Sequence, residues 1–387
     1  MCNRRARDAS ASSQRGRPAN CTLGVAQLVK VLTAALSPLV AKSRNQTASE
    51  PIVRPLRVLS NTRWFEGRTF RGRAIESTTF RGGLLAMIPQ FLAARGWDAV
   101  VFNVDERRLL TFCLLRRILG AGRCRLVSVD IHLPPLRTAR FRRRARFLSW
   151  LLHEVDVFVC YFKETQPMCQ AYGLERKRFV YVPFKVNTPD AIRAVESTDE
   201  GFALVCGRSD RDYRTLAAAA DGLDVPIVVL VGPDHAKHGA DVAEVRMPAN
   251  VRVEIDDGSI ESWIQWIARA RFVILPVLPD VLKPSGISAY LQAMALGKCV
   301  ITTQSPASQG LIDGGQAVLV NPGDPAALRD AIRRVANDAE YRGRIAAAGR
   351  TYAWSLGGEE RLADDIVQCV GALVDGPRSP HARLTTA

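Results

Sequence analysis

Long apolar runs are missing from this sequence. No window approaches 18 uncharged apolar residues, so a conventional membrane span is not expected. The nearest stretch, Cys21 to Ala41, is interrupted by Lys30 and Pro38. Paired cysteines are missing too: the nine cysteines include no Cys-x-x-Cys pair and no Cys/His ligand spacing. That argues against a disulfide framework and against structural zinc, and makes a reducing cytosol the expected compartment. Acidic residues are scarce in one half only. Through Asp190 there are 33 Lys and Arg against 13 Asp and Glu, a net of +20; the remaining 20 basic and 25 acidic residues give −5, which recovers the overall +15. The basicity therefore belongs to one half, and that half is expected to face an anionic partner. What is present is ordinary: 47% hydrophobic and 24% charged residues exclude a wholly disordered chain. At 387 residues, two domains plus extensions are expected, each long enough to bury its own core.

Residues 1–54 read as a disordered or amphipathic extension. Arg4, Arg5, Arg7, Arg15 and Arg17 sit among small polar residues, and Leu23 to Val40 can form a short amphipathic helix. From there, apolar strands alternate with helical patterns, which predicts parallel sheets covered on both faces. One set spans residues 55–186, with strands from Leu56–Ser60 to Phe179–Val182. A polar stretch containing Pro189 reads as a linker over 187–200. A second set occupies 201–374, with strands from Ala203–Cys206 to Ala317–Val320 and a last helix at Gly358–Val374. Residues 375–387 read as a tail. The predicted class is α/β, two doubly wound Rossmann-like domains facing across a cleft, where ligands bind at the carboxyl ends of the strands.

The most informative segment is Lys283-Pro-Ser-Gly-Ile-Ser-Ala-Tyr-Leu-Gln-Ala-Met-Ala-Leu-Gly-Lys-Cys-Val-Ile-Thr302. A strand ends at Pro276, a loop runs to Ser285-Gly286, and a helix begins with Ser285 expected as its N-cap. The first amides of that helix, at Gly286 and Ile287, make an anion site. Read alone, the segment is equally an ordinary strand-turn-helix-strand unit. Directly after strand Ala203–Cys206 comes Gly207-Arg-Ser-Asp-Arg-Asp-Tyr-Arg214. Arg208 and Arg211 there can clamp a diphosphate bidentately, or pair with Asp210 and Asp212 as loop charges.

A Gly-Arg with a further basic residue after the first strand of the second domain, then Ser-Gly entering a helix that reads Leu-x-Ala-Met-Ala-x-Gly-Lys-x-Val-Ile, resembles nucleotide-sugar glycosyltransferases of the GT-B fold. The likeness is to the large retaining bacterial group, glycosyl transferases group 1. The resemblance implies donor-diphosphate binding by Arg208, Arg211, Ser285, Gly286 and Ile287. It implies base binding by Asp256, Asp257, Gly258 and Ser259, and ribose binding at Gln292. That last position departs from the family, which usually carries Glu there; Gln can hydrogen-bond a diol but lacks the charge that strengthens the bond. No divalent metal and no cofactor is required by this arrangement beyond the nucleoside-diphosphate sugar as donor substrate.

The first domain is expected to carry the acceptor. Arg63 and Trp64 lie in an aromatic and basic segment after the first strand, where rings stack on sugars and arginines hold phosphates. Gly82 and Gly83 would let a ligand approach the backbone, or form a plain turn. Asp130 and His132 follow a strand at its carboxyl end and are the candidates for a general base; alternatively Asp130 caps a turn and His132 packs. Arg137 to Leu152 combines six arginines with Phe141, Phe147, Leu148, Trp150, Leu151 and Leu152, the composition of a helix lying on an anionic membrane surface, or of a domain helix with a solvated basic end. Nucleic acid is disfavoured, since no recognition module is visible.

The expected function is therefore transfer of a sugar from a nucleoside diphosphate to a lipid-linked or cell-surface polysaccharide acceptor, with retention, by a cytoplasmic enzyme of polysaccharide biosynthesis at the inner face of the membrane. The alternatives are a nucleotide-sugar epimerase of the same fold, which turns over donor without acceptor, and a catalytically weak nucleotide-sugar-binding protein.

Overall fold

The computed structural model describes residues 54–120, 122, 124–136, 139–233 and 242–377. The expectations for the amino-terminal extension up to residue 53, and for the tail beyond 377, lie outside the described residues.

A seven-stranded sheet comes first: β1 (Leu56–Ser60), β2 (Thr69–Phe70), β3 (Arg73–Thr79), β4 (Ala99–Asn103), β5 (Arg125–Val129), β6 (Val157–Cys160) and β7 (Phe179–Tyr181), ordered β2-β3-β1-β4-β5-β6-β7. Every pairing is parallel except the β2–β3 hairpin at one edge. Strands β5 and β6 are buried at every position, as the near-continuous apolar runs of a doubly covered sheet require. Strand β3, next to the edge, instead alternates between exposed and half-buried residues. Helices α1 (Met87–Ala94), α2 (Glu106–Leu119), α3 (Ala139–Leu152) and α4 (Gln166–Tyr172) connect the strands. The β2–β3 hairpin was not anticipated: β2 has only two residues, β3 shows no apolar alternation, and Phe65 and Phe70, in the aromatic and basic segment after β1, are fully buried.

The second sheet has six parallel strands: β8 (Ala203–Val205), β9 (Ile227–Val231), β10 (Val251–Ile255), β11 (Phe272–Leu275), β12 (Cys299–Thr303) and β13 (Val318–Val320), ordered β10-β9-β8-β11-β12-β13. The order reverses between β8 and β11. A crevice opens at such a switch point outside the carboxyl ends of the two strands. The segment read as a linker contains a short helix, α5 (Pro189–Arg193), and is tied to the second domain by Thr198 N–H to Ala268 O and Glu200 N–H to Arg269 O. Helices α6 (Tyr213–Ala220), α7 (Ile260–Arg269), α8 (Ile287–Ala295), α9 (Pro325–Asn337) and α10 (Ala339–Ser355) cover this sheet.

The last helix, α11 (Glu359–Asp375), was assigned by sequence to the second domain, yet it packs on β2 and β5 of the first sheet. Leu362, Ile366, Val367 and Val370 join the same core cluster as Phe65 and Phe70. Gly371 sits so close to Phe70 that an added Cβ would lie 2.4 Å from the ring, which accounts for glycine in mid-helix. Arg68 pairs with both Glu360 and Asp364, and Arg73 with Asp375 at 2.8 Å. The aromatic and basic residues after β1 thus build the seam that receives α11.

Candidate functional site

The loops after β8 and β11, on either side of the switch point, are stitched together. Leu278 N–H donates to Asp210 O and Asp212 N–H to Pro276 O, while Arg211 and Val277 form an isolated bridge. Asp210 is held at φ +55°, and its carboxylate accepts from Ser285 Oγ at 2.6 Å and pairs with Lys283 Nζ at 3.0 Å. Asp212 caps α6 through Thr215 N–H. Asp210 and Asp212 stand at the Asp-x-Asp spacing that in some enzymes holds a metal; here both carboxylates are occupied by side chains and amides of these loops.

These bonds decide the start of α8. Ser285 is not the N-cap that the sequence suggested, because its hydroxyl is turned toward Asp210. The cap is Gly286 at φ +99°, and no side chain bonds the first-turn amides. Helices α2, α6, α7, α9 and α10 are each capped by an Asp or Ser side chain. Of the amides expected to bind phosphate, Ile287 N–H donates to Pro284 O at 3.3 Å, which takes it out of the anion site; the positive end of the α8 dipole stands here without a capping side chain.

The two arginines expected to clamp a diphosphate differ. Arg208 is exposed, with no side-chain partner among the described residues. Arg211 is only 3% exposed; its Nε donates to Cys206 O at 2.7 Å and its Nη1 to Ser209 O at 2.8 Å. Its guanidinium lies over Gly207, where an added Cβ would come within 1.8 Å of Nη2, and Nη2 sits 3.6 Å from a Cβ built on Gly286. Arg211 therefore braces the loop from behind and adds positive charge under the α8 terminus, rather than standing free as half of a clamp. Burial lowers its pKa, with Cys206, Tyr213 and Asp210 opposing.

Across the cleft, Asp130 leaves β5 in the left-handed region at φ +50°. One carboxylate oxygen, Oδ2, lies 3.3 Å from His132 Nε2, and the other, Oδ1, is buried without a hydrogen-bond partner. His132 is anchored by its own N–H to Glu106 Oε1 at 2.9 Å. Burial opposes protonation of the imidazole, but the hydrogen bond to Asp130 and the charges of Asp130 and Glu106 outweigh it, so the His132 pKa is raised; Lys283 of the other domain is near enough to oppose. Asp130, His132 and Lys283 thus meet, with the start of α8 tied to Lys283 through Asp210 and Ser285.

Other expected residues lie elsewhere or are engaged. Gln292 is 6% exposed; its Oε1 accepts from Trp263 Nε1 at 3.0 Å and its Nε2 donates to Thr188 Oγ1 at 3.1 Å, so the amide locks α7 and the linker to α8. Trp64 Nε1 donates to Glu359 Oε1 at 2.7 Å, and Lys185 pairs with the same carboxylate at 2.6 Å, which takes Trp64 away from a sugar-stacking role. Arg63 is exposed beside this seam. Gly82, at φ +77°, gives its carbonyl to Arg108 Nη2, and Gly83 faces open space. After β10, Asp256 is buried and accepts from Ser262 Oγ, Asp257 accepts from Ser259 N–H at 2.7 Å, Gly258 takes φ +84°, and Ser259 caps α7. Sequence reasoning gave Lys283 no role, took Asp210 only as a pairing partner of the arginines, and missed its Asp-x-Asp spacing with Asp212. Lys283 adjoins the Pro-Ser-Gly turn, and the Asp-x-Asp spacing marks Asp210.

Residues 204–338 match the family Glycosyl transferases group 1. Among solved structures, HepE from Anabaena in complex with UDP shares the fold at TM-score 0.56 and 14% identity, covering 82% of this chain and 100% of its own. Sucrose-phosphate synthase from Thermosynechococcus elongatus does so at TM-score 0.57 and 13% identity, covering 83% of this chain and 99% of its own. The α,α-trehalose 6-phosphate synthase from Burkholderia multivorans follows at TM-score 0.54 and 12% identity, over 83% and 99%. A search of curated proteins finds no match. The architecture is GT-B.

Proposed function

We propose that this protein is a glycosyltransferase that moves a sugar from a nucleoside diphosphate to a lipid-linked or cell-surface polysaccharide acceptor, with retention. The observation that carries the reading is the meeting of Lys283, tied through Asp210 and Ser285 to the uncapped helix terminus at Gly286, with Asp130 and His132 across the cleft; Arg208 is exposed on the same loop as Asp210. Lys283, Arg208 and the helix terminus bind the donor diphosphate and stabilise it as it leaves, a preorganised electrostatic site that forms before reaction. Asp130 Oδ1, buried with no donor, and His132, with its raised pKa, are placed to accept the proton of an acceptor hydroxyl. Positive charge from Arg208, Lys283 and the helix dipole balances the phosphates, and the reading requires no divalent metal. Ribose recognition at Gln292 is not part of it, because that amide is engaged; base recognition at Asp256–Ser259 is retained. HepE is described with UDP and with UDP-glucose, which makes uridine the first nucleotide to test.

The protein would work on the cytoplasmic side, held to the inner face of the membrane by α3. The deciding experiment is a thermal-shift panel of UDP, GDP, ADP and CDP. A ligand that binds only the folded state at 100 times its Kd raises stability by about 2.7 kcal/mol. One nucleoside diphosphate should raise the melting temperature and its sugar conjugate should be consumed only when acceptor is supplied. Consumption without acceptor would favour an epimerase, binding without consumption a sugar-nucleotide-binding protein, and no shift with any nucleotide would end the donor reading.

A further inference from the structure

Beside the proton-handling pair lies a cavity of about 500 Å³ that neither donor nor metal chemistry explains. It is built from the carboxyl ends of both sheets. One wall is Pro135 and Leu136, just beyond His132, with Ala171 of α4; the facing wall is Val281 and Leu282, just before Lys283. Nine of its thirteen lining residues are proline or aliphatic, none is basic, and none carries an aromatic ring. This composition discriminates between ligands. A phosphate would find no cation, and a sugar would find Asp280, Gln304, Ser305 and Gln309 to hydrogen-bond but no aromatic face to stack on, so the apolar majority of the wall stays uncovered. A hydrocarbon chain finds a concave apolar wall of the size of ordinary ligand sites. The wall is also firm. Tyr172 Oη donates to Pro134 O at 2.6 Å, and Leu282 packs on the core of the first domain. Helix α4 packs in turn against α3, whose outer side carries exposed Phe147 and Trp150.

We infer that this cavity receives the apolar chain of the acceptor, so that the acceptor is an amphiphile whose hydrocarbon part lies between Leu136 and Leu282 while its hydroxyl reaches Asp130 and His132. The inference rests on the proposed glycosyl transfer for its biological meaning, but its test does not. The probe is N-phenyl-1-naphthylamine, neutral and fluorescent in apolar sites, titrated into the full-length protein and displaced by n-octyl β-D-glucoside or methyl β-D-glucoside. Each buried methylene contributes roughly a fourfold gain in affinity, so the octyl compound should compete at least about 100-fold better than the methyl one. Leu136→Asp and Ala171→Trp should each weaken probe binding at least about tenfold, whereas Phe147→Ala/Trp150→Ala should leave it unchanged. Circular-dichroism melts identify any variant that has unfolded, and one folded pocket variant is enough to decide. Equal competition by the two glucosides would make the cavity a sugar subsite and overturn the inference. So would probe binding that survives both pocket variants or is lost with Phe147 and Trp150. UDP titrated in parallel separates the two readings: loss of UDP binding with intact probe binding would defeat the transferase alone.

Discussion

At the residue scale, burial separates groups that meet a ligand from groups that hold the site. Arg208→Ala should weaken binding of the preferred nucleoside diphosphate by about 1.5–3 kcal/mol, the range for a charge-assisted bond, and leave the melting temperature unchanged. Arg211→Ala should lower both, since it also releases Cys206 O, Ser209 O and the cover over Gly207. Calorimetric titration beside a thermal melt checks the pair; an Arg211 variant that melts normally would show that the bracing is unimportant. Asp130→Asn removes the largest influence holding the His132 pKa up, so burial should then dominate and the value should fall, read from the imidazole proton shifts in an NMR titration. If His132 is the base, the acid limb of the rate profile should move down with it. Lys298 offers a test away from the site. Burial depresses its pKa to about 8 against an ordinary 10.5, with Asp199 opposing, and its Nζ donates to Thr198 O of the linker. Below pH 8 both folded and unfolded chains carry the charge, so the folded state bears the full cost of burying it. Between pH 8 and 10.5 the unfolded chain binds more protons than the folded one, and stability rises with pH. Lys298→Met should therefore be the more stable protein at pH 7, with an advantage that shrinks by up to ~3 kcal/mol toward pH 10.5 in urea melts.

At the element scale, the amino end and the middle of α8 answer to different constraints. Its amino end is open because the Ser285 hydroxyl serves Asp210. Its middle is closed because Gln292 bonds Trp263 and Thr188. Gln292→Glu keeps an acceptor for Trp263 but removes the donor to Thr188 and buries a charge. It should therefore cost about 1–3 kcal/mol of stability without tightening nucleotide binding. Tighter binding in a titration would restore ribose contact to this position. The strands and helices around α8 were readable from sequence because buried parallel strands and capped helices leave strong local patterns, as in Ile227–Val231 and in Ser259 before α7. The two-residue strand β2 and the five-residue helix α5 were not, since so few residues carry no period. The roles of Arg211, Gln292 and Trp64 were also hidden. Gln292 and Trp64 depend on partners that sequence spacing does not bring near, such as Glu359, 295 positions from Trp64, and Arg211 bonds backbone carbonyls two and five residues back, which no residue pattern marks. Residue type suggests which side chains could bind a ligand, but only packing shows which polar side chains have already been used.

At the scale of the whole molecule, charge and exposed apolar surface coincide on the first domain. Helix α3 buries Ala145, Leu148, Leu151 and Leu152, at the spacing of one helical face. Arg142, Arg143, Arg144 and Arg146 are exposed, with Phe147 54% and Trp150 41% exposed and their rings stacked at 5.8 Å. From the end of α2, Arg117 lies over the Trp150 ring at 4.7 Å, and Ile118 and Leu119 are exposed beyond it. Of the apolar residues that suggested a membrane helix, Leu148, Leu151 and Leu152 belong to the core, and Phe147 and Trp150 remain outside; the side chains of Arg137, Arg140 and Phe141 lie outside the described residues. No helix among the described residues is long and apolar enough to cross a membrane, so any attachment through this face lies on the surface. Basic residues beside an anionic leaflet contribute roughly 1 kcal/mol each, and the attraction is screened as the Debye length falls from about 10 Å at 0.1 M salt to about 3 Å at 1 M. The protein should sediment with vesicles of phosphatidylglycerol and phosphatidylcholine at low salt, ignore pure phosphatidylcholine, and be released in high salt. Replacing Arg142, Arg143, Arg144 and Arg146 with Gln should abolish most of that binding, because it removes the charge but leaves the buried face of α3 intact. Phe147→Ala/Trp150→Ala should leave a weaker association that washes off at lower salt, since the rings supply the apolar share. Nucleotide affinity should be unchanged in both variants, as the proposed donor site stands on the other sheet. A competing DNA duplex controls for simple polyanion binding. A protein that stays in the supernatant with anionic vesicles at low salt would return these arginines to the role of a solvated face and leave an acceptor to be delivered from solution.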